Sequence, residues 1–299
     1  MIIKIQLPNI KYGQLIPSED AVAAHHHIFC VADGITRDPK LPKDFPKDSR
    51  NIRKILKYYP NPSGAKAVAD IFCKNFIRLG RNTNDIKKIF IKINGLIRNY
   101  NRKKIKNVDY LVNDYFGCVA SGGLIKYDVL YYGYICDGGL AIFDKNGRLK
   151  FQTEDDMKKF TDFEKKHLKT KNLNYSLPAY RYLIRTKHRN RPNKIFNSRL
   201  VSYGALTGEK SAEPFIGQGK IKLTKGDLLV FYSDGFIETL KNRNFFAKIY
   251  QKNSKLMPKK LVSFSKRLAL KNYEKYGKER SLVATIFLPA NKPPQIKKG

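Results

Sequence analysis

Residues 29–38, FCVADGITRD, decide how this chain is read. Phe29, Cys30, Val31 and Ala32 form a short apolar run of the kind that fills a buried strand, and the run stops on a carboxylate, Asp33. Gly34 follows, the residue type that lets main chain turn sharply or another group approach closely. The same device recurs in residues 227–236, DLLVFYSDGF, where Asp234 and Gly235 close a second apolar run. An ionised carboxylate at the rim of a core is costly unless it is paired or bound to a cation. A single such ending is explained by pairing with one of the many Lys and Arg side chains. Two in one chain ask for a joint explanation.

Working outward, three more acids border apolar runs: Glu19 and Asp20 before AVAA, and Asp137 after YYGYIC. Oxygen ligands converging from several strand ends suit Mg²⁺ or Mn²⁺, hard cations that take carboxylates, main-chain carbonyls and water. Two such ions can activate a water and clamp a phosphoryl group. Gly34 and Gly235 would let main-chain carbonyls come close.

The patterning around these acids is that of an α+β chain. MIIKIQL and AVAAHHHIFCVA have strand character, and residues 37–62, with five prolines, suit an irregular excursion. SGAKAVADIFCKNFIRLG predicts a helix from Ser63 to Gly80, with Ala65, Val68, Ala69, Phe72, Phe76 and Leu79 on one face. NTNDIKKIFIKINGLIRNYNRKK predicts a second, capped by Thr83 or Asn84, with Ile86, Ile89, Phe90, Ile93, Leu96 and Ile97 on its face. The period then becomes strand-like, with Gly pairs and a DKNG turn in residues 116–152. LVSYGALTG, GKIKLTKGDLLVFYSDGF and SLVATIFL read as further strands, and PKKLVSFSKRLALKNYEKYG as a late helix. Helices packed on antiparallel sheets are the expected outcome.

Composition narrows the function. The chain has 299 residues, 42% of them hydrophobic and 12% aromatic, enough for a real core. No apolar run is long enough to span a bilayer, and the opening residues lack the order of a signal peptide. Cys30, Cys73, Cys118 and Cys136 are far apart, which fits buried thiols in a reducing cytoplasm better than a zinc or redox motif. His25, His26 and His27 would alternate faces in a strand, so a surface or core role is favoured over metal binding. No nucleophile elbow, P-loop or dinucleotide fingerprint is present. With 59 Lys and Arg against 25 Asp and Glu, the net charge of +34 attracts polyanions. Residues 165–199 concentrate it, with eleven basic residues and no acid.

The order SEDA (18–21), VADG (31–34), the SGAKA helix start, FGCVAS (116–121), CDGG (136–139), FYSDG (231–235) and ERSLVATI (279–286) resembles the metal-dependent protein phosphatases of type 2C. It looks like a divergent member of bacterial or archaeal style. The resemblance implies a sandwich of two antiparallel β-sheets flanked by helices, spanning residues 1–290 as one domain. A basic flap-like insertion would occupy about 154–200, and 291–299 would be a disordered tail. It implies a cytoplasmic, monomeric serine/threonine phosphatase that uses two or three Mg²⁺ or Mn²⁺ ions and water to hydrolyse phosphoproteins. Asp33 would bridge the metals with the Gly34 carbonyl as a further ligand, and Asp234 would be the second principal aspartate. Glu19 and Asp20 would match the acidic pair, Asp137 would help hold a weaker ion, and Glu279 is a candidate ligand.

Three departures accompany the resemblance. Leu15 stands where the family usually has a phosphate-gripping Arg, for which Lys11 or a base from 165–199 would have to substitute. The DGHGG continuation is replaced by ITRD after Gly34, and Lys278 aligns with the family's closing metal aspartate. These departures admit a second reading, a pseudophosphatase acting as a binding or regulatory module. A third, nucleic-acid binding, rests on charge alone and ranks below both.

Overall fold

The structure is a computed structural model. It describes residues 2–10, 17–35, 54, 57, 59, 61–105, 109–110, 115–167, 178–192, 195–196, 199–241 and 257–289. Lys11, Leu15, most of the 37–62 excursion, part of the 165–199 basic segment and the 291–299 tail lie outside the described residues.

Two five-stranded antiparallel sheets lie face to face. One runs β1 (Ile2–Leu7), β12 (Arg280–Ile286), β11 (Leu228–Tyr232), β6 (Gly139–Phe143), β7 (Leu149–Gln152). The other runs β10 (Gly217–Lys222), β5 (Val129–Ile135), β4 (Gly117–Lys126), β3 (Ile28–Ile35), β2 (Ala21–His25). Helices α1 (Gly64–Gly80) and α2 (Ile86–Lys104) cover the outer face of the second sheet, and α5 (Met257–Lys271) packs on the first. This is the flanked sandwich expected from the sequence.

The run FCVA is apolar throughout because β3 is covered on both faces. Side chains of a strand alternate between faces. Phe29 and Val31 point into the space between the sheets with Leu229 and Phe231, while Ile28, Cys30 and Ala32 meet Val68, Phe72 and Phe76 of the helix layer. The Phe29 and Phe231 rings stack across the sandwich with centroids 6.2 Å apart. By contrast, β1 is an edge strand with one wet face, burying only Ile3, Ile5 and Leu7.

Helix α1 starts where the sequence places it: the Ser63 hydroxyl accepts from the Lys66 amide at 3.1 Å. The cap of α2 is corrected. Asp85 takes that role, accepting from the Lys88 amide, and Thr83 instead accepts from the Asp85 amide. A carboxylate at the helix start gains from the macrodipole as well as from the hydrogen bond, an advantage Thr83 lacks. The DKNG turn is present, with Asp144 Oδ1 accepting from the amides of Asn146 and Arg148.

Three strand expectations change. AVAAHHHIFCVA is a hairpin, β2 and β3 joined at His26 and His27, with His26 in the left-handed region at φ 50°. His25 therefore closes β2 opposite Ile28, and His26 and His27 make the tight turn at the end of β3 remote from Asp33. Asp33 does not end its strand either, because β3 continues through Gly34 and Ile35 against β4. LVSYGALTG contributes only Leu200 to a two-residue strand, β9 (Arg199–Leu200), paired with β8 (Ile195–Phe196). Beyond it lie two isolated bridges, Leu206 to Cys118 and Tyr203 to Arg189. Side chains replace the missing ladder. Asn190 bonds the Ala205 amide and carbonyl, Asn94 the Gly208 amide and Glu209 carbonyl, and Asn101 the Thr207 carbonyl.

The basic segment, unassigned from sequence, holds real structure: α3 (Asp156–His167), α4 (Pro178–Leu183) and a π-turn (Ile184–His188). Phe160 joins Val119, Cys136, Tyr203 and Ala205 in a small core of its own. The four cysteines are buried and free. Among the described residues, no helix is long and apolar enough to cross a membrane.

Phe231→Ala removes a fully buried ring from the layer shared by the sheets. It should destabilise the fold by about 3–5 kcal/mol, read from the urea midpoint of unfolding. Because Phe29 is its stacking neighbour, the double alanine variant should lose less than the sum of the single losses.

Candidate metal centre

Alternation along β3 continues past its apolar part, so Asp33 follows Phe29 and Val31 in the row that faces the opposite sheet. The pairing with β2 ends at Ala32, opposite Ala21. The chain entering β2 through Ser18, Glu19 and Asp20 therefore runs beside Asp33. Gly34 is required by this crowding: a Cβ there would lie 2.8 Å from the Glu19 carbonyl oxygen and from the Ala65 main chain of α1.

Asp20 is fully buried. Its Oδ2 accepts from Ser233 Oγ at 2.8 Å, and its Oδ1 has no hydrogen-bond partner. Ser233 is fixed in turn, its amide donating to the Ser281 carbonyl and its hydroxyl accepting from the Ser281 amide, both at 2.9 Å. Asp234 then opens a single 3₁₀ turn, Asp234–Phe236. Gly235 lies so close to the start of β12 that a Cβ would be 1.9 Å from the Glu279 carbonyl oxygen. Asp137 sits in the tight turn between β5 and β6, after Cys136 at φ 70°.

Glu279 does not point into this group as a free ligand. Its carboxylate accepts from Ser18 Oγ, from the Glu19 amide at 2.9 Å and from the Asp20 amide at 2.7 Å. It is a clamp on the segment that carries the acidic pair. Glu19 is likewise engaged, accepting from Tyr59 Oη at 2.9 Å and from Ser63 Oγ at the start of α1. Lys278, the neighbour of Glu279, places Nζ 2.6 Å from Asp234 Oδ2.

Proximity and burial show in the titration of these groups. Burial raises Asp33 well above the usual carboxylate range, and the charges of Asp20, Asp234, Asp137 and Glu279 add to it. Asp20 is raised in the same way, by burial and then Glu279, against the opposing bond from Ser233. Burial, with Asp234 and Asp155, brings Asp137 to about 7. Burial alone would lower the Lys278 ammonium, but Asp234, Asp137 and Asp33 outweigh it and hold it above the usual lysine range.

The structure thus gathers Asp20, Asp33, Asp137, Asp234 and Glu279 at one end of the sandwich, and turns Glu19 toward α1. Two participants escaped the sequence reading. Ser233, the small hydroxyl in FYSDG, orients Asp20. Asp155, in the acidic TEDD before α3, feels Asp234 and is raised by burial. The signal for Asp155 was the one patch of acid bordering a basic segment.

Whether these residues suit a divalent cation can be judged from the donors. Asp20 Oδ1 is a buried, unpartnered anionic oxygen, and the carboxylates around it repel one another, both of which a hard cation would relieve. Among the described residues no three His, Cys, Asp or Glu groups are already drawn into a closed site. The donor chemistry fits a cation, and no number of ions is defined.

Solved structures with this architecture include serine/threonine phosphatases. The Mycobacterium tuberculosis phosphatase PstP/Ppp is 13% identical, with a TM-score of 0.57 over 96% of this chain and 99% of that one. A bacterial serine phosphatase gives 13% identity and a TM-score of 0.57 over 97% and 99%. The catalytic domain of PstP in complex with two manganese ions gives 13% and 0.54 over 95% and 98%. No protein-family model matches the chain, and no curated protein matches it in sequence. The chain has the fold of the type 2C phosphatases, from its first strand to its last.

Between about pH 4 and about 7, Asp137 is protonated in the folded chain and ionised in the unfolded one. Folding therefore takes up a proton there, and stability falls as pH rises through that window. In metal-free protein, Asp137→Asn should melt increasingly above wild type as pH goes from 4 to 8. A constant difference in melting temperature would show that Asp137 titrates normally.

Proposed function

We propose that this chain is a metal-dependent serine/threonine phosphoprotein phosphatase. The observation that carries this reading is the convergence of Asp20, Asp33, Asp137 and Asp234, from separate strands, on one end of a sandwich of phosphatase fold. Mg²⁺ or Mn²⁺ would be held by Asp20 and Asp33, with Asp234 and Asp137 next to them and the Gly34 carbonyl nearby. Such an ion supplies a water made acidic enough to attack phosphorus and a charge that steadies the phosphoryl oxygens.

The chain's own residues prepare this chemistry. Ser233 fixes one oxygen of Asp20 and leaves the other buried without a hydrogen-bond partner. Glu279 holds residues 18–20 in place through the Ser18 hydroxyl and the Glu19 and Asp20 amides. Asp33 is aimed by a strand that cannot rotate, because its preceding residues are packed on both faces. Burial and the charges of Asp234 and Asp155 raise Asp137, and a cation bound beside it would favour its ionised form.

The insertion suits an anionic substrate. Its helix α3 reaches the cluster, Phe160 packing on Cys136 beside Asp137. The surplus of positive charge would raise the local concentration of a phosphorylated, acidic protein. The Lys278–Asp234 pair favours a second reading, a binding module with the fold but little catalysis.

Phosphate release from a phosphothreonine peptide separates the two. The phosphatase reading expects turnover that needs Mn²⁺ and ceases with chelator. Asp33→Ala should lower it by more than about a hundredfold, since partners one shell further out are already worth about 10- to 100-fold. Turnover unchanged in Asp33→Ala would sink the mechanism. For acidic peptides, KM should also rise with ionic strength while kcat holds, because screening weakens steering and leaves the buried site alone.

A further inference from the structure

The cluster has two unlike ends. At one, Asp20 Oδ1 is buried with no partner, and no Lys or Arg is paired with Asp20 or Asp33 among the described residues. At the other, Lys278 Nζ lies 2.6 Å from Asp234 Oδ2, within the field of Asp137. Both ends carry excess negative charge. Among the described residues only one is supplied with a positive charge through an ion pair, although the field of Asp33 also reaches Lys278.

Lys278 is placed there by rigid neighbours. Its carbonyl accepts from Arg280 Nη1 at 2.8 Å, and Arg280 is itself buried and bonded to the Tyr276 carbonyl. The next residue, Glu279, is fastened by three donors to residues 18–20. The preceding Gly277 is tied through its amide to Tyr273 and through its carbonyl to Ile10. With the main chain fixed on both sides, the lysine starts from one position beside Asp234. This differs from the pair of Lys158 with Asp162, exposed side chains one turn apart on the same helix. There both partners can swing into water, and such pairs contribute little. Asp234 is mostly covered, at 18% exposure, and shares its space with further carboxylates.

We propose that Lys278 acts as a tethered cation in the metal centre. Its ammonium occupies the Asp234–Asp137 end that a second divalent ion would otherwise fill, so that the chain binds a single divalent ion at the Asp20–Asp33 end. The inference rests on the metal-dependent reading above and concerns how many ions the centre takes. A lysine has one charge on a flexible stem, no open coordination position and no bound water to activate. It neutralises Asp234 without contributing a nucleophile. The carboxylate charge is thereby balanced at one end and left to a metal at the other.

Isothermal titration calorimetry with Mn²⁺ tests this on the full chain, without reference to activity. Wild type should bind one equivalent. Lys278→Met, which keeps the length of the side chain and removes its charge, should bind two, and so should Lys278→Asp. Lys278→Arg retains the charge and should stay at one. Equal stoichiometry in wild type and Lys278→Met, whether one or two, overturns the proposal and leaves the metal-dependent reading standing. No binding by any of the four folded proteins overturns both. The lysine is half exposed, so these variants should fold; their melting curves check that they do.

Discussion

At the acidic end of the sandwich one carboxylate ties the two sheets together with three hydrogen bonds. Glu279, at the entrance to β12, accepts from Ser18 and from the amides of Glu19 and Asp20 at the entrance to β2. Hydrophobic packing between sheets is non-directional and fixes their distance better than their relative slide. Hydrogen bonds to an ionised acceptor are short and directional, and so fix that slide. Ser233 repeats the connection from β11, joining Asp20 to Ser281. Without these links, acids from the two sheets would share a region but no geometry.

What makes the links tolerable is the packed layer behind them. Phe29, Val31, Leu229 and Phe231 fill the space directly beneath the acids. Desolvation of the carboxylates follows from this packing, and desolvation is the largest cause of the raised pKa of Asp20, Asp33 and Asp137. Repulsion among them adds to the same effect. The site is a place where the fold gives up stability in order to gather charge, which is common where chemistry is done. Gly34 and Gly235 belong to the same economy of space, since each lies where main chain from another element leaves no room for a Cβ.

The basic insertion adds a second polar layer to this end. Segment 200–208, which the sequence suggests is a strand, is held instead by Asn94, Asn101 and Asn190. Buried amides can satisfy a main chain that has no neighbouring strand, provided each of their own groups is also matched. Glu209 completes the arrangement, receiving Asn190 and Arg191. The insertion is thereby joined to both α2 and β4, next to Asp137, rather than hanging from the domain as a separate lobe.

Much of this was legible in the sequence because it is periodic. Strand alternation, the two helical faces of residues 64–104 and the acids that interrupt apolar runs are properties of spacing, and spacing survives without neighbours. Asp33 and Asp234 could be singled out because each breaks a hydrophobic run that only a core would demand. Pairing across the chain was not legible. That Glu279 faces main-chain amides, that Glu19 turns to Tyr59 and Ser63, and that His26 and His27 form a turn depend on contacts between residues distant in sequence or on a backbone reversal. The meaning of Lys278 changed most. In the sequence it is an aspartate missed by one position; in the folded chain it is an ammonium fixed against Asp234. Local pattern determined which carboxylates the chain carries to its strand ends. Tertiary structure decided which of them remain unneutralised, because only packing sets the distances over which charges act.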